Sequence, residues 1–398
     1  VKRAGDYRGA VPADTPPDSP SGSPSADAPR PPGRDREIES LVEFDRVALT
    51  GSFAGYRVQA VDLTDRTFAL LVADTSRAVF LGCPMEPQAL AHVRAGGALV
   101  FPPVPDLPFD PYRGALYAPD ELYAGLADDG YPATPDARTY AWARSTAADG
   151  DILASMLRSI HDDAVSDALD ELLGGLKVVG VMGGHAMERG TDAYAGAARL
   201  GRDLARAGFT VATGGGPGAM EAANFGAYAA PFDDLMLRKA LDVLGEVPSF
   251  RPSVAAWART AFEVRDRWPG GGSSYGLPTW FYGHEPPNAF ASGIAKFFAN
   301  ATREDGLLSR CSGGVVFLPG AAGTVQEIFD AATPAYYSSR GKPVPLVLVD
   351  RAHWTSVLPA WPLLQSLATD RPMSTRITLV DSVTEAPAAL AALSEGAR

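Results

Sequence analysis

VVGVMGGH (residues 178–185), FTVATGGGPGAMEAAN (209–224) and VVFLPGAAGTVQE (315–327) share one plan: a short apolar run, a glycine turn, then a segment of helical character. Runs such as Val178–Met182 and Phe209–Thr213 lack polar alternation, as expected of parallel strands covered on both faces. After the first turn Ala197, Leu200 and Leu204 fall on one helical face, which Gly208 ends. Val344–Val349 and Ile377–Val380 continue the series. Repeated strand, turn and helix predict an α/β fold, a doubly wound parallel sheet with helices on both faces.

Upstream, Asp151–Leu173 reads as a helix ending at Gly174-Gly175, reached through a Pro-rich connection from Phe101 to Pro135. Between Glu37 and Tyr140 the pattern is β-like. Tyr56, Val58 and Ala60 alternate with polar neighbours, as do Phe68, Leu70 and Val72, which predicts a small β-rich accessory domain. Two weakly similar stretches, Val61–Thr64 and Ala73–Ser76, are too few for a solenoid. The first 35 residues carry eight prolines among Ser, Asp, Ala and Gly, too little apolar surface to offset chain entropy. The expected organisation is a disordered tail (1–36), the β-rich domain (37–146) and the parallel-sheet domain (147–398). Val1-Lys2-Arg3 is followed by no apolar core of a signal peptide, so export is not expected.

The 398 residues suit two or three domains by length alone, and 46% hydrophobic with 21% charged residues is a globular composition. A net charge of -12 disfavours broad contact with nucleic acid polymers or anionic membrane, and no run reaches the length of a spanning helix. Cys83 and Cys311 belong to no metal-binding spacing and fit a reducing cytoplasm.

In an open parallel sheet the turns after the strands lie at one edge, where they can converge on a crevice. Glycine lets the backbone approach a phosphate, and helix N-termini supply free N–H groups. The candidate phosphate- and substrate-binding residues are therefore Gly183, Gly184 and His185, then Gly214, Gly215, Gly216 and Gly218 with Glu221 in the next turn, then Gly320, Gly323 and Thr324. Tight strand-to-helix turns alone would also use these glycines. Gly214–Gly218 lacks the Gly-Lys-Ser/Thr of a P-loop, and Gly183-Gly184-His185 is not G-x-G-x-x-G. No G-x-S-x-G elbow occurs, and His284-Glu285-Pro286-Pro287 lacks the second histidine of a zinc protease helix.

The second and third turns together, Gly214–Asn224 and Pro319–Glu327, resemble the paired signature of the Lonely Guy (LOG) family, Rossmann-like phosphoribohydrolases once labelled lysine decarboxylases. The likeness runs from about Lys177 to Asp381, half of the chain, and is nearest to the longer bacterial nucleotide hydrolases. It implies hydrolysis of the N-glycosidic bond of nucleoside 5'-monophosphates, of purine, pyrimidine or cytokinin type, to free base and ribose 5-phosphate. It further implies no metal or organic cofactor, a cytoplasmic setting and a homo-oligomer, dimer or tetramer. Glu327 and Arg303 receive the catalytic roles. The family has glycine where this chain has Ala321, a costly exchange wherever φ is positive. The matching arginine segment here reads Ala301–Gly306, and a segment from Pro231 to Ser274 is inserted.

A carboxylate suits this chemistry because cleavage builds positive charge on the sugar, and the same group can orient the attacking water. Spacing alone also fits a capping box, Thr324-x-x-Glu327. A non-catalytic carrier of a nucleotide or phosphorylated cofactor on the same fold is the alternative. Three weaker candidates remain. The aromatics in Thr279–His284 suit a core or a base stack; Asn288 could cap a following helix; Lys296 bears no mark of a Schiff-base lysine.

Overall fold

The computed structural model describes residues 36–281, 285–337 and 343–395. The expected tail lies outside them except for Arg36. Two parallel sheets form. The first takes β1 (Glu37–Ile38), β2 (Arg57–Gln59), β3 (Val79–Leu81) and β4 (Leu99–Phe101) in sequential order. The second takes β5 (Val178–Met182), β6 (Thr210–Thr213), β7 (Ser274–Gly276), β8 (Gly293–Ile294), β9 (Gly314–Phe317), β10 (Leu346–Val349) and β11 (Ile377–Val380), in the order β11-β10-β9-β5-β6-β7-β8.

The apolar runs build this second sheet for the expected reason. Val178, Met182, Val315, Phe317, Leu346 and Leu348 pack into one hydrophobic cluster, whereas Val179, Val181, Val316, Val347 and Val349 pack into another. Successive side chains thus feed opposite faces, both covered by helices, so alternation with polar residues has no place. From β5 the chain winds outward through β6, β7 and β8, then returns to β9 beside β5 and winds the other way. That reversal opens a crevice at the carboxyl ends of β5 and β9, where the first and third glycine turns begin.

The segment 37–146 departs from the β-rich expectation. Its four strands alternate with helices Leu41–Ala48, Thr67–Val72 and Pro87–Ala95, so it is a parallel α/β layer. Phe68, Leu70 and Val72, read as a strand, lie in a helix; Phe68 and Val72 are exposed and Leu70 alone of the three is buried. Their alternation did not mark a buried face, and six residues are too few for periodicity to separate strand from helix. Ile38, Val58, Phe80 and Val100 share one rung of the ladder. Their spacing of roughly 20 residues is that of a β–α solenoid, a repeat that the two short stretches did not reveal.

This layer has its own core, from Ile38 and Phe44 to Val93 and Ala98. Phe109, Tyr117, Leu122 and Ala143 instead belong to the core of the large sheet, and Tyr117 exchanges backbone hydrogen bonds of 3.0 and 2.8 Å with Ile294 of β8. We therefore propose to move the domain boundary from 146/147 to the segment between Val100 and Val104. A chain starting at residue 147 is expected to aggregate, because Trp280 and Phe298 lose the aromatic partners Tyr117 and Phe109 and expose an apolar face. A soluble fragment with the full chain's near-UV circular dichroism would contradict this. Among the described residues no helix is long and apolar enough to cross a membrane.

Candidate functional site

The three glycine turns are knitted together. Gly184 N–H donates to Pro319 O at 3.1 Å, and Ala219 N–H donates to Gly184 O at 3.1 Å, so the first turn bonds to both others. Small size is required here. A Cβ on Gly183 would lie 2.8 Å from Ala219 Cβ, and one on Gly218, whose φ is +74°, would lie 2.5 Å from Gly184 O. The second turn is braced from behind. Gly215 N–H donates to Thr213 Oγ1 at 2.9 Å, and Thr213 Oγ1–H donates to Asn224 Oδ1 at 2.7 Å. Asn288 Nδ2 donates to Gly216 O at 3.2 Å and to Asn224 Oδ1 at 2.9 Å. Asn288 also accepts from Phe290 and Ala291 N–H, but the segment after it leads to β8 rather than to a helix, so its capping role is local.

Over these turns lies a cleft of about 1040 Å³, lined by Gly183, Gly184 and His185 on one wall and by Gly320, Gly323 and Thr324 on the other. Arg303, Glu304 and Glu327 also line it. Gly214, Gly215 and Gly216 are buried behind it, and Gly218 faces a side pocket of about 200 Å³. That side pocket shares His185–Glu188 with the cleft and takes Pro248–Arg251 and Trp257 from the inserted segment. Glu221 is fully buried beneath it, where Arg189 Nε donates at 2.9 Å and Arg189 Nη2 makes a second, shorter contact. Its carboxylate is thereby committed to an internal ion pair. His185 Nδ1 lies 3.1 Å from Glu285 Oε1 at the cleft mouth.

The helix Ala322–Tyr337 points its first turn into the cleft. Its first bond runs from Val325 N–H to Ala321 O, leaving the N–H groups of Ala322, Gly323 and Thr324 without intrahelical acceptors. The expected cost at Ala321 does not arise, since Ala321 is absent from the residues with positive φ. Nor does the capping box form: Thr324 lies inside the helix, and the Glu327 carboxylate turns to Arg303.

Arg303 Nη1 reaches Glu327 Oε1 at 3.2 Å and Glu304 Oε2 at 2.8 Å, and the three side chains are 12%, 10% and 8% exposed. Burial pushes Glu327 up to about 7; Arg303 pulls it down and Glu304 pushes it further up. Glu304 is also raised, again chiefly by burial. Two carboxylates with one guanidinium between them hold a proton readily near neutral pH. Arg303 Nε is buried and makes no hydrogen bond within the protein. The cleft lining carries one arginine against Glu188, Glu285, Glu304 and Glu327, so side-chain charge does not seat an anion there. The helix N-terminus can, through its free N–H groups and dipole. Gly323 and Glu327 lie on one helix face about 6 Å apart along the axis, so the open N-terminal turn lies one turn from the carboxylate.

His353 escaped the sequence reading although it follows an apolar run of the parallel-strand type. It lines the cleft, and its Nε2 lies 3.0 Å from Gly320 O. A carbonyl only accepts, so Nε2 carries the proton and steadies the third turn. Asp350, just past β10, has φ +79° and accepts His353 N–H at 3.0 Å. Of the aromatics in Thr279–His284, Trp280 is core and Phe281 is exposed, while residues 282–284 lie outside the described set.

Fold and site together define a doubly wound α/β protein with a cleft at its topological switch point. The family model described as SLOG cluster4 family matches residues 176–231, which span β5 and the first two glycine turns. The Moco carrier protein from Chlamydomonas reinhardtii is a similar solved structure: 19% identity and a TM-score of 0.36, covering 56% of this chain and 99% of that one. The molybdenum cofactor binding protein from the phototrophic bacterium Rippkaea orientalis is 17% identical with a TM-score of 0.35, covering 55% and 98%. Among curated proteins none matches.

Proposed function

We propose that the cleft binds a phosphorylated nucleotide and that Glu327 hydrolyses the N-glycosidic bond of a nucleoside 5'-monophosphate. The observation that carries this is the pairing of a buried carboxylate with Arg303, one helical turn from an anion-seating N-terminus. The 5'-phosphate sits at Gly323 and Thr324, which brings the anomeric carbon toward Glu327. As the bond to the base breaks, the carboxylate stabilises positive charge on the sugar and orients water toward it. Arg303 keeps that carboxylate ionisable near pH 7, and its Nε can meet an oxygen of the ligand. No metal or organic cofactor takes part. A cytoplasmic homo-oligomer, dimer or tetramer, accompanies this proposal through the LOG resemblance.

A carrier role is the second reading, favoured by the neutralisation of Arg303 by two glutamates, which leaves no surplus charge for electrophilic work. The solved structures named above are themselves described as a carrier and a binding protein for the molybdenum cofactor. A carrier would need the anion seat without turnover.

Nucleosides without the 5'-phosphate are expected to be poor substrates, since binding of that remote group positions the sugar for reaction. Comparable kcat/KM for adenosine and AMP would refute the phosphate seat. Activity is expected to fall as pH drops through about 7, where Glu327 takes up its proton. Stability runs the opposite way: the folded protein keeps this proton up to about 7 and the unfolded chain releases it near 4.5, so this group's contribution declines as pH rises between the two. A rate independent of pH between 5 and 8 would contradict the role of Glu327.

A further inference from the structure

We propose that Asp162 is a positioning residue for Arg303, holding the entry of the helix that presents this arginine to Glu327; this rests on the reading of Glu327 above. Asp162 lies in the long helix Ile152–Leu173, 5% exposed, with no part in the cleft lining. Its Oδ1 accepts Phe298 N–H and its Oδ2 accepts Ala299 N–H, both at 2.8 Å. These are the two residues that lead into helix Asn300–Leu308, whose own N-cap, Ala299, makes no side-chain capping bond. One turn on, Arg303 N–H donates to Ala299 O at 3.2 Å. A single residue, Ala299, therefore links the Asp162 carboxylate to the backbone of Arg303.

The tether is itself fixed. His161 is fully buried, and burial lowers its pKa, so the ring is neutral. Its Nε2 accepts from Tyr117 Oη at 2.8 Å, which puts the proton on Nδ1, 3.3 Å from Asp162 Oδ1. Tyr117 is in turn bonded through its backbone to Ile294. An acid used only to stabilise the helix would serve as well at the N-cap itself. Asp162 instead reaches across from another helix and fixes where the segment lies relative to Ala322–Tyr337, which carries Glu327.

Loosening this hold withdraws Arg303 from Glu327, and the carboxylate then feels burial with less compensation. The charged and titratable groups that face Glu327 are Arg303 and Glu304 from the tethered helix and Asp330 from its own. Cys311 is the neighbour behind it, and His185, Glu188, Glu285 and His353 share the cleft.

The test is a carboxyl-carbon NMR titration of full-length protein labelled with ¹³C-glutamate, with Glu327→Gln assigning the resonance. The parent Glu327 should titrate near 7, and in Asp162→Asn its midpoint should rise by about one pH unit. With AMP at pH 7, kcat should fall about fivefold, as the ionised fraction of Glu327 does, while KM stays within about threefold. Should Asp162→Asn fail to fold, Ala299→Pro, which removes one of the tethered N–H groups, decides by the same titration. An unmoved Glu327 midpoint in a folded variant overturns the proposal whatever the turnover. A midpoint that moves as stated in a protein whose parent releases no base upholds the tether and defeats the hydrolase reading.

Discussion

Glu327→Gln is expected to lower base release by about 10²- to 10⁴-fold while AMP affinity changes only a few-fold. Glutamine keeps the shape and can still face Arg303, so the anion seat at Gly323 and Thr324 stays intact. It cannot balance positive charge developing on the sugar, nor take a proton from water. Failure to fold would have pointed to a capping role, but the carboxylate bonds to Arg303 Nη1 and no capping bond from Thr324 forms, so the helix start does not depend on it. Turnover by isothermal calorimetry beside binding by the same method separates the two effects. Equal turnover in variant and parent would remove Glu327 from the mechanism.

The other large effect concerns a buried charge. Lys296, fully buried, donates to Asp136 Oδ1 at 2.5 Å, and the same carboxylate accepts from Trp280 Nε1 at 2.9 Å and from Tyr131 Oη at 2.5 Å. Asp136→Ala strands the ammonium and two further donors away from water, and is expected to destabilise the protein by about 3–5 kcal/mol. Burial already lowers the Lys296 pKa, with Asp136 opposing that shift, so in the variant the amine favours its neutral form. Below the ordinary lysine pKa the unfolded chain then binds more protons than the folded one, so the loss of stability should narrow as pH rises. Urea denaturation at pH 6 and pH 9 checks both parts, and a change under about 1 kcal/mol at pH 6 would contradict the burial argument. This lysine, unremarkable in sequence, holds the segment before residue 146 to the large sheet.

The large sheet was readable because strands covered on both faces must be apolar throughout, and Val178–Met182 and Ile377–Val380 match β5 and β11 residue for residue. The turns were readable because backbone approach there demands glycine. The small sheet was not, since strands of two or three residues, such as Glu37–Ile38, leave no period to detect, and its helices carry exposed Phe68 and Val72. In the site, Glu327 and Arg303 were picked out by resemblance, and their contact depends on tertiary structure that no local pattern encodes. Glu221 has the position of a ligand contact in sequence, but the arginine that engages it, Arg189, lies 32 residues away. His353 and Asp162 act through a backbone carbonyl and backbone N–H groups, and such partners leave no trace in side-chain spacing.

Hydrolysis of the N-glycosidic bond shows itself when the protein is incubated with AMP, other purine and pyrimidine 5'-monophosphates and isopentenyl-AMP, and free base and ribose 5-phosphate are measured by mass spectrometry. The two products should appear in equal amounts from at least one of these nucleotides, and at least about 100-fold more slowly from the Glu327→Gln variant. Recovery of every nucleotide intact, bound or free, would contradict the hydrolase reading.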